Sequence, residues 1–477
     1  MGLGTELKME FAADVVCFSH LRWDLVLQRP NQLFGRCARE RRTFFWEDPV
    51  FDPSLPPGGA FLELSDASSI LRVAVPRIPI GLDEQEVERE LRRLFVEMLA
   101  KRSVHRPVLW FTSPAAFGFA GHVAASAVVY DCADELPPRL WTRAAAPLPS
   151  TRPPPTPFAS TWALPPPLGS ARAPSALLGG APFAPARLPP AWTPPAVLPP
   201  LEATEASLRA READLLRRAD VVFTAGHSLW QAKKAQHPCV YLFPSNVDRA
   251  HFARARAPQS EPRDQAGIPR PRLGYFGAVD ENVDLDLLTD VADVAPSWHI
   301  VIIGPAVNID AARLPLRRNI HYLGQRAYGE LPAYIAGWDV ALLPFVATDP
   351  TRFVNPVKAL ECLAAGKPVV ATAVPDLVHP YGERDLVRTT DRLSFVAEIA
   401  AALGAPLARR AAADAFIART SWDRTWREMW EIVEAIVRQR DACGVSSGGL
   451  DAPAPGSATG DRAPHDHDGD VDRRRTA

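Results

Sequence analysis

The stretch Trp338-Asp-Val-Ala-Leu-Leu-Pro-Phe345, running on through Thr351-Arg-Phe-Val-Asn-Pro-Val-Lys-Ala-Leu-Glu-Cys-Leu-Ala-Ala-Gly-Lys-Pro-Val-Val-Ala-Thr372, decides the fold. Asp339 to Leu343 is a short apolar run, the pattern of a strand covered on both faces. Pro344 stops it and a polar loop follows. Pro356 suits the first turn of a helix, with Asn355 as its cap. Gly366 closes that helix, and Pro368-Val-Val-Ala opens the next strand. Strand, loop, helix, strand is half of a doubly wound α/β domain, and such sheets take ligands at the carboxyl ends of their strands.

The loop at that end carries Asp349, Thr351, Arg352 and Asn355, and the helix after it carries Lys358 and Glu361. These residue types suit a diphosphate-linked ligand. A helix N-terminus offers free N–H groups and partial positive charge. Arg352 adds a forked cation and Lys358 a point charge. Glu361, about one turn beyond Lys358 on the same helical face, can accept both hydroxyls of a ribose. A capped helix with a solvated Arg and Lys explains this stretch alone equally well.

Other segments tip the balance. Lys358-Ala-Leu-Glu-Cys-Leu-Ala-Ala-Gly-Lys-Pro-Val-Val-Ala resembles the donor-site signature of bacterial GT-B-fold glycosyltransferases that use nucleotide sugars, the retaining group 1 or family 4 type. Leu273-Gly-Tyr-Phe-Gly277, His299-Ile-Val-Ile-Ile-Gly-Pro, Asn319-Ile-His-Tyr-Leu-Gly and Glu330-Leu-Pro-Ala-Tyr-Ile-Ala-Gly-Trp-Asp resemble the preceding elements of their C-terminal domain, in order. Phe243-Pro-Ser-Asn-Val-Asp resembles the interdomain segment, with Ser245-Asn246 departing from the usual Asn-Gly. Cys17-Phe-Ser-His-Leu-Arg-Trp-Asp-Leu-Val-Leu-Gln-Arg-Pro and Tyr130-Asp-Cys-Ala-Asp-Glu resemble a bacterial subgroup. The resemblance implies two Rossmann-like domains facing a cleft, a last helix crossing back to the first domain, and retention of anomeric configuration. Two departures stand out. Ala278-Val-Asp-Glu-Asn is acidic where many relatives place diphosphate-binding cations, which shifts that role to Arg352 and Lys358. The first of two glutamates eight positions apart falls on Phe353, leaving Asp349 or Asn355 as its substitute.

At 477 residues the chain is expected to hold more than one core. A formal net charge of −2 excludes a general nucleic-acid binder. No run suffices to span a bilayer. Residues 1–12 lack a basic start and an apolar core, so no signal peptide is expected. The six cysteines are scattered, which fits a reducing cytoplasm.

The N-terminal domain is read as residues 1–253. Its first strand, Asp14 to Ser19, ends in a loop with His20, Arg22, Trp23, Asp24, Gln28 and Arg29, and Pro30 starts a helix. In the family that loop faces the donor across the cleft; a loop that merely packs and caps with Trp23 and Gln28 is the alternative. Thr43–Glu47, Leu71–Val75, Pro107–Phe111 and Ala127–Tyr130 read as strands, the last followed by Asp131, Asp134 and Glu135. These acids serve as sugar-hydroxyl ligands, a base, or plain helix caps. Glu84–Arg102 is an amphipathic helix with Val87, Leu91, Leu94, Phe95, Met98 and Leu99 inward. Its basic face offers peripheral contact with anionic lipid, but interspersed glutamates make an ordinary packed surface helix the expectation.

Residues 137–200 hold 20 prolines and no Asp or Glu. That composition forbids helix and central strand, so 137–203 reads as a disordered or polyproline-II insertion. Glu205–Arg218 is a helix, and Ala219 to Leu229 is strand, glycine turn, helix, with His227 as a cleft candidate that is as readily structural. Residues 254–270 read as a polar linker and hinge, 271–420 as the donor domain with a first helix over Asn282–Val294, and 421–440 as the helix crossing back. Residues 441–477 read as a disordered tail, whose His465-Asp-His-Asp-Gly-Asp lacks the spacing of a metal loop.

The expected activity is transfer of a sugar from a nucleotide diphosphate donor to a saccharide or lipid-linked acceptor in envelope or exopolysaccharide synthesis, with no metal or other cofactor. Catalytic candidates are His20, Asp134 and Asp349. Donor-binding candidates are Gly277, Arg352, Asn355, Lys358 and Glu361. Acceptor or cleft candidates are Trp23, Gln28, Arg29, Glu135 and His227. A nucleotide-sugar epimerase and a non-catalytic scaffold of the same fold are the alternatives.

Overall fold

The computed structural model describes residues 13–24, 28–133, 205–307, 309, 311–348, 350–353, 357–405, 407 and 409–443. Asp134, Glu135, Asp349 and Asn355, the proline-rich insertion and the tail beyond residue 443 lie outside the described residues.

The apolar runs of the first half become β1 (Val15–Ser19), β2 (Thr43–Glu47), β3 (Val50–Asp52), β4 (Phe61–Asp66), β5 (Leu71–Pro79), β6 (Val108–Phe111), β7 (Ala127–Cys132), β8 (Val221–Thr224) and β9 (Val240–Leu242). They pair in the order β3-β5-β2-β1-β6-β7-β8-β9, all parallel, with β4 antiparallel on β5. β1, β2, β6, β7 and β8 are buried along their whole length, as parallel strands sandwiched between helices must be. The chain order reverses between β1 and β6, so the loops after these strands border a crevice.

The second half forms β10 (Arg272–Phe276), β11 (His299–Ile303), β12 (Ile320–Gly324), β13 (Val340–Leu343), β14 (Val369–Thr372) and β15 (Arg388–Thr390). Their parallel order β12-β11-β10-β13-β14-β15 puts the switch point between β10 and β13, where the loops after Phe276 and Leu343 begin. Each sheet carries an apolar cluster on either face.

The chain changes domain at residues 243–247. Phe243 packs with the N-terminal core and Val247 with the C-terminal one. Between them Ser245 and Asn246 are buried, and Asn246 Nδ2 donates to Thr425 Oγ1 at 2.7 Å. The expected hinge at 254–270 is therefore displaced upstream. That segment forms short helices fastened to the C-terminal domain: Gln265, fully buried, bonds Trp338 Nε1 at 3.0 Å and the Tyr334 carbonyl at 2.9 Å. Arg256 spans to Asp414 and to the carbonyls of Leu363 and Ala364. Arg256 and Gln265 read as solvent-facing linker residues; both are held instead by backbone and side-chain partners in the C-terminal domain.

Helix Trp422–Ala442 returns to the N-terminal domain, laying Trp422, Trp426, Met429, Trp430 and Val433 into the cluster of β1, β6 and β7. It runs past the expected end at 440, and Asp441 pairs with Arg106 at 3.3 Å. The first helix of the second domain starts later than expected, at Leu285, because Asp284 caps it by accepting from Leu287 N at 2.8 Å while Val283 bridges Phe345. Helix Glu84–Lys101 buries the six apolar residues expected of it. Arg92, Arg93 and Lys101 are matched by Glu88, Glu90 and Glu97 on the same helix, so this face is largely self-neutralised rather than a basic surface. Among the described residues no helix is long and apolar enough to cross a membrane.

Candidate active site

Two sets of side chains stand at carboxyl strand ends. On the C-terminal domain, β10 ends in Gly277, held at φ +135°, a conformation that suits glycine. A β-carbon there would lie 2.2 Å from Lys358 Cε, so the lysine stem lies directly against this turn. Lys358 comes from helix Val357–Ala364, is half-buried, and makes no salt bridge or hydrogen bond among the described residues. Its charge is felt by Asp280 and by Glu361. Burial pushes the Glu361 carboxyl up to about 7, against the opposing pull of Lys358. Burial also raises Asp280, although Asn282 N donates to it at 3.0 Å. Asp280, one of the acidic residues after Gly277, thus sits within reach of the charge of the lysine that was expected to replace the missing cations.

Arg352 lies on the turn Pro350–Phe353, exposed, with its guanidinium 4.7 Å from the Phe353 ring centre. Thr351 fixes that turn by accepting from Thr348 N at 2.9 Å. Phe353, at the position of the absent glutamate, packs against the N-terminal core instead, so this turn joins the two domains.

On the N-terminal domain, Ser19, His20, Glu47, Asp48 and Ser113 rim a cleft with about 240 Å³ of open space, floored by Phe18, Trp46 and Phe119. It lies beyond the carboxyl ends of β1, β2 and β6. Glu47 is committed to the loop, accepting from Arg22 Nη1 at 2.8 Å and Trp23 N at 2.7 Å. Asp48 has no hydrogen-bond partner among the described residues. Burial raises its carboxyl to about 7, with Arg22 opposing and Glu47 adding to the shift. Ser19 Oγ and Ser113 Oγ each accept a backbone N–H, from Leu21 at 3.1 Å and Ala115 at 3.3 Å, which leaves their hydroxyl protons to donate.

Of the cleft candidates, Arg29 needs correction, while Gln28 and Trp23 take the capping and packing alternative. Arg29 is buried at 5 % exposure and forked onto Asp131, with Nη2 to Oδ1 at 2.8 Å, while Nη1 donates to the Phe243 carbonyl at 2.6 Å. This pair ties the first helix to β7 and the domain crossover and faces no cleft. Gln28 is the N-cap residue of helix Arg29–Cys37, its N–H donating to Asn31 Oδ1 at 3.2 Å. Trp23 packs edge-on to Phe45 at 5.0 Å. His227 begins helix His227–Lys234 at the domain junction, 5.0 Å from the His379 ring. Asp48 and Ser113 were missed. The Trp46-Glu-Asp-Pro49 run ends an apolar strand, the signal applied to β1 and β7 but not to β2.

The family described as glycosyl transferases group 1 matches residues 270–405, the part that carries Gly277, Arg352, Lys358 and Glu361. This domain is a group 1 glycosyltransferase domain. A putative teichuronic acid biosynthesis glycosyltransferase, TuaH of Bacillus subtilis, is 30 % identical over 138 residues, 28 % of this chain. The match spans about a third (34 %) of that relative's length. Across both domains, the glycosyltransferase domain and its partner superpose on HepE from Anabaena in complex with UDP-glucose, with a TM-score of 0.55 at 13 % identity, covering 89 % of this chain and 100 % of that one. Sucrose-phosphate synthase from Thermosynechococcus elongatus gives 0.53 at 14 % identity, covering 91 % and 98 %. The fold is GT-B: two Rossmann-like domains in one chain.

Proposed function

We propose that this protein is a glycosyltransferase that moves a sugar from a nucleotide diphosphate donor to a saccharide or lipid-linked acceptor in envelope or exopolysaccharide synthesis. The observation that carries this reading is the half-buried ammonium of Lys358, without a salt bridge or hydrogen bond among the described residues, laid against the Gly277 turn at the β10/β13 switch point. A cation placed there with no salt bridge among the described residues, and with Asp280 and Glu361 near enough to feel its charge, is poised for a diphosphate. Glu361, next along the same helix face, is then the acceptor for ribose hydroxyls; the hydroxyl protons would supply the partners its raised carboxyl lacks. Arg352 adds charge from the facing turn. As the glycosidic bond breaks, negative charge grows on the leaving phosphate, and cations fixed before the reaction stabilise it more than they stabilise the donor. We assign that work to side chains rather than to a resident metal.

The N-terminal cleft is our acceptor site, with Asp48 accepting and Ser19 and Ser113 donating hydrogen bonds to a sugar's hydroxyls, and His20 at the rim. Retention of configuration is the family expectation carried into this reading. The UDP-sugar complexes of HepE and the teichuronic relationship of TuaH support the substrate class. The deciding experiment incubates the full chain with a panel of nucleotide sugars and follows nucleotide diphosphate release. Slow release from one donor, accelerated by a glycoside acceptor, is expected. Tight binding without release points to the scaffold alternative, and neither binding nor release refutes the proposal.

A further inference from the structure

Helix His227–Lys234 begins without a cap of its own. Gly226 holds its N-cap position in extended backbone, φ −124° and ψ 152°, with no side chain to accept the first N–H groups. The acceptor comes from the other domain. Asp376 Oδ1 accepts from the Ser228 backbone N–H and from Ser228 Oγ, both at 3.0 Å. Asp376 follows β14 on the turn Pro375–Leu377 and is 3 % exposed. Its other oxygen, Oδ2, is buried without a hydrogen-bond partner among the described residues, as is Nδ1 of His227. Oδ2 also fills the space a β-carbon on Gly226 would need, 2.2 Å away. The helix and the Pro375–Leu377 turn both touch the Pro350–Phe353 turn that carries Arg352.

We propose that Asp376 and Ser228 form a closure latch, in which Asp376 caps this helix across the domain interface and so positions the Arg352 turn over a bound donor. The idea rests on the glycosyltransferase reading. A charged cap at a helix N-terminus favours the closed arrangement. The stranded Oδ2 and Nδ1 favour opening, because each recovers water when the domains part. Opposed terms of this kind leave the two arrangements close in free energy, which is what a catalytic cycle of closure and release requires. Both residues are positioning residues; neither is assigned contact with substrate.

The test uses the full chain with UDP as ligand and UDP-glucose as donor. Gly226→Ala is the sharpest variant, since its backbone angles suit alanine and only the closed state suffers the collision with Asp376. Asp376→Ala removes the cap, and Asp376→Asn keeps an oxygen that accepts the same two bonds. Small-angle scattering should show a larger radius of gyration with UDP for Gly226→Ala and Asp376→Ala than for wild type, and a normal one for Asp376→Asn. Donor turnover should fall about ten- to hundredfold in the first two, the loss expected for a charge-assisted cap, while UDP affinity falls by no more than the less-than-tenfold loss set by the exposed Arg352. Wild-type scattering and turnover in Gly226→Ala would overturn the latch, whether or not Asp376→Ala folds. Failure of wild type to bind UDP or turn over any nucleotide sugar would count against the glycosyltransferase reading, and the scattering comparison would still decide the latch.

Discussion

Replacing Glu361 with glutamine tests the donor site without any substrate. In the folded protein its carboxyl is raised from 4.5 to about 7, chiefly by burial. Each factor of ten in proton affinity is worth about 1.4 kcal/mol, so ionising this group in the fold costs roughly 3 kcal/mol of stability. Residual contact with water screens part of that, and about 1–3 kcal/mol is the expected range. The sign follows from the direction. Below pH 4.5 both folded and unfolded chains hold the proton, and the stability is fully present. It is lost as pH rises through about 7, where the folded chain must give up a proton the unfolded chain released earlier. Glutamine keeps the shape and has no proton to lose. Glu361→Gln should therefore match wild type in urea unfolding at pH 4.5 and exceed it at pH 8.5, with the gap opening between these values. Saturating UDP should narrow the gap at pH 8.5, because ribose hydroxyls bonded to the carboxylate offset its burial, and the variant should bind UDP more weakly. A variant equally stable with wild type at both pH values would mean that Glu361 is well solvated, and the argument for a preformed ribose acceptor would fall.

Lys358→Ala should weaken UDP binding by tens-fold and leave uridine binding nearly unchanged, since a charge-assisted contact is worth about 1.5–3 kcal/mol. Arg352→Ala should cost less than about tenfold, because its exposed guanidinium is screened by water; calorimetry with UDP and uridine side by side decides both, and equal losses for the two ligands would remove these cations from the diphosphate site. Arg29→Met should lower stability by about 3–5 kcal/mol by stranding the buried Asp131 carboxylate, and adding Asp131→Asn should recover part of it. Thermal melts of the single and double variants measure this, and an unchanged melt for Arg29→Met would reopen the cleft reading of Arg29.

The sequence by itself determined the architecture of both domains and the location of helix Val357–Ala364. Buried parallel strands need unbroken apolar runs, and helices between them need turn residues at their ends, so Val15–Ser19, Arg272–Phe276 and Val340–Leu343 were visible as strands and Gly366 as a helix stop. These are local requirements, and local sequence satisfies them. The partners of polar side chains were not local. Arg29 looked like a loop cation and is a buried ion pair with a residue 102 positions away. Gln265 and Arg256 looked like linker and are anchors, because the carbonyls they meet belong to helices and turns far along the chain. Asp48 became a cleft carboxylate only when β1, β2 and β6 were set side by side, and Asp376 a helix cap only when the two domains met. Whether a charge is solvated, paired or stranded depends on what the fold brings opposite it, and that was decided by tertiary structure alone.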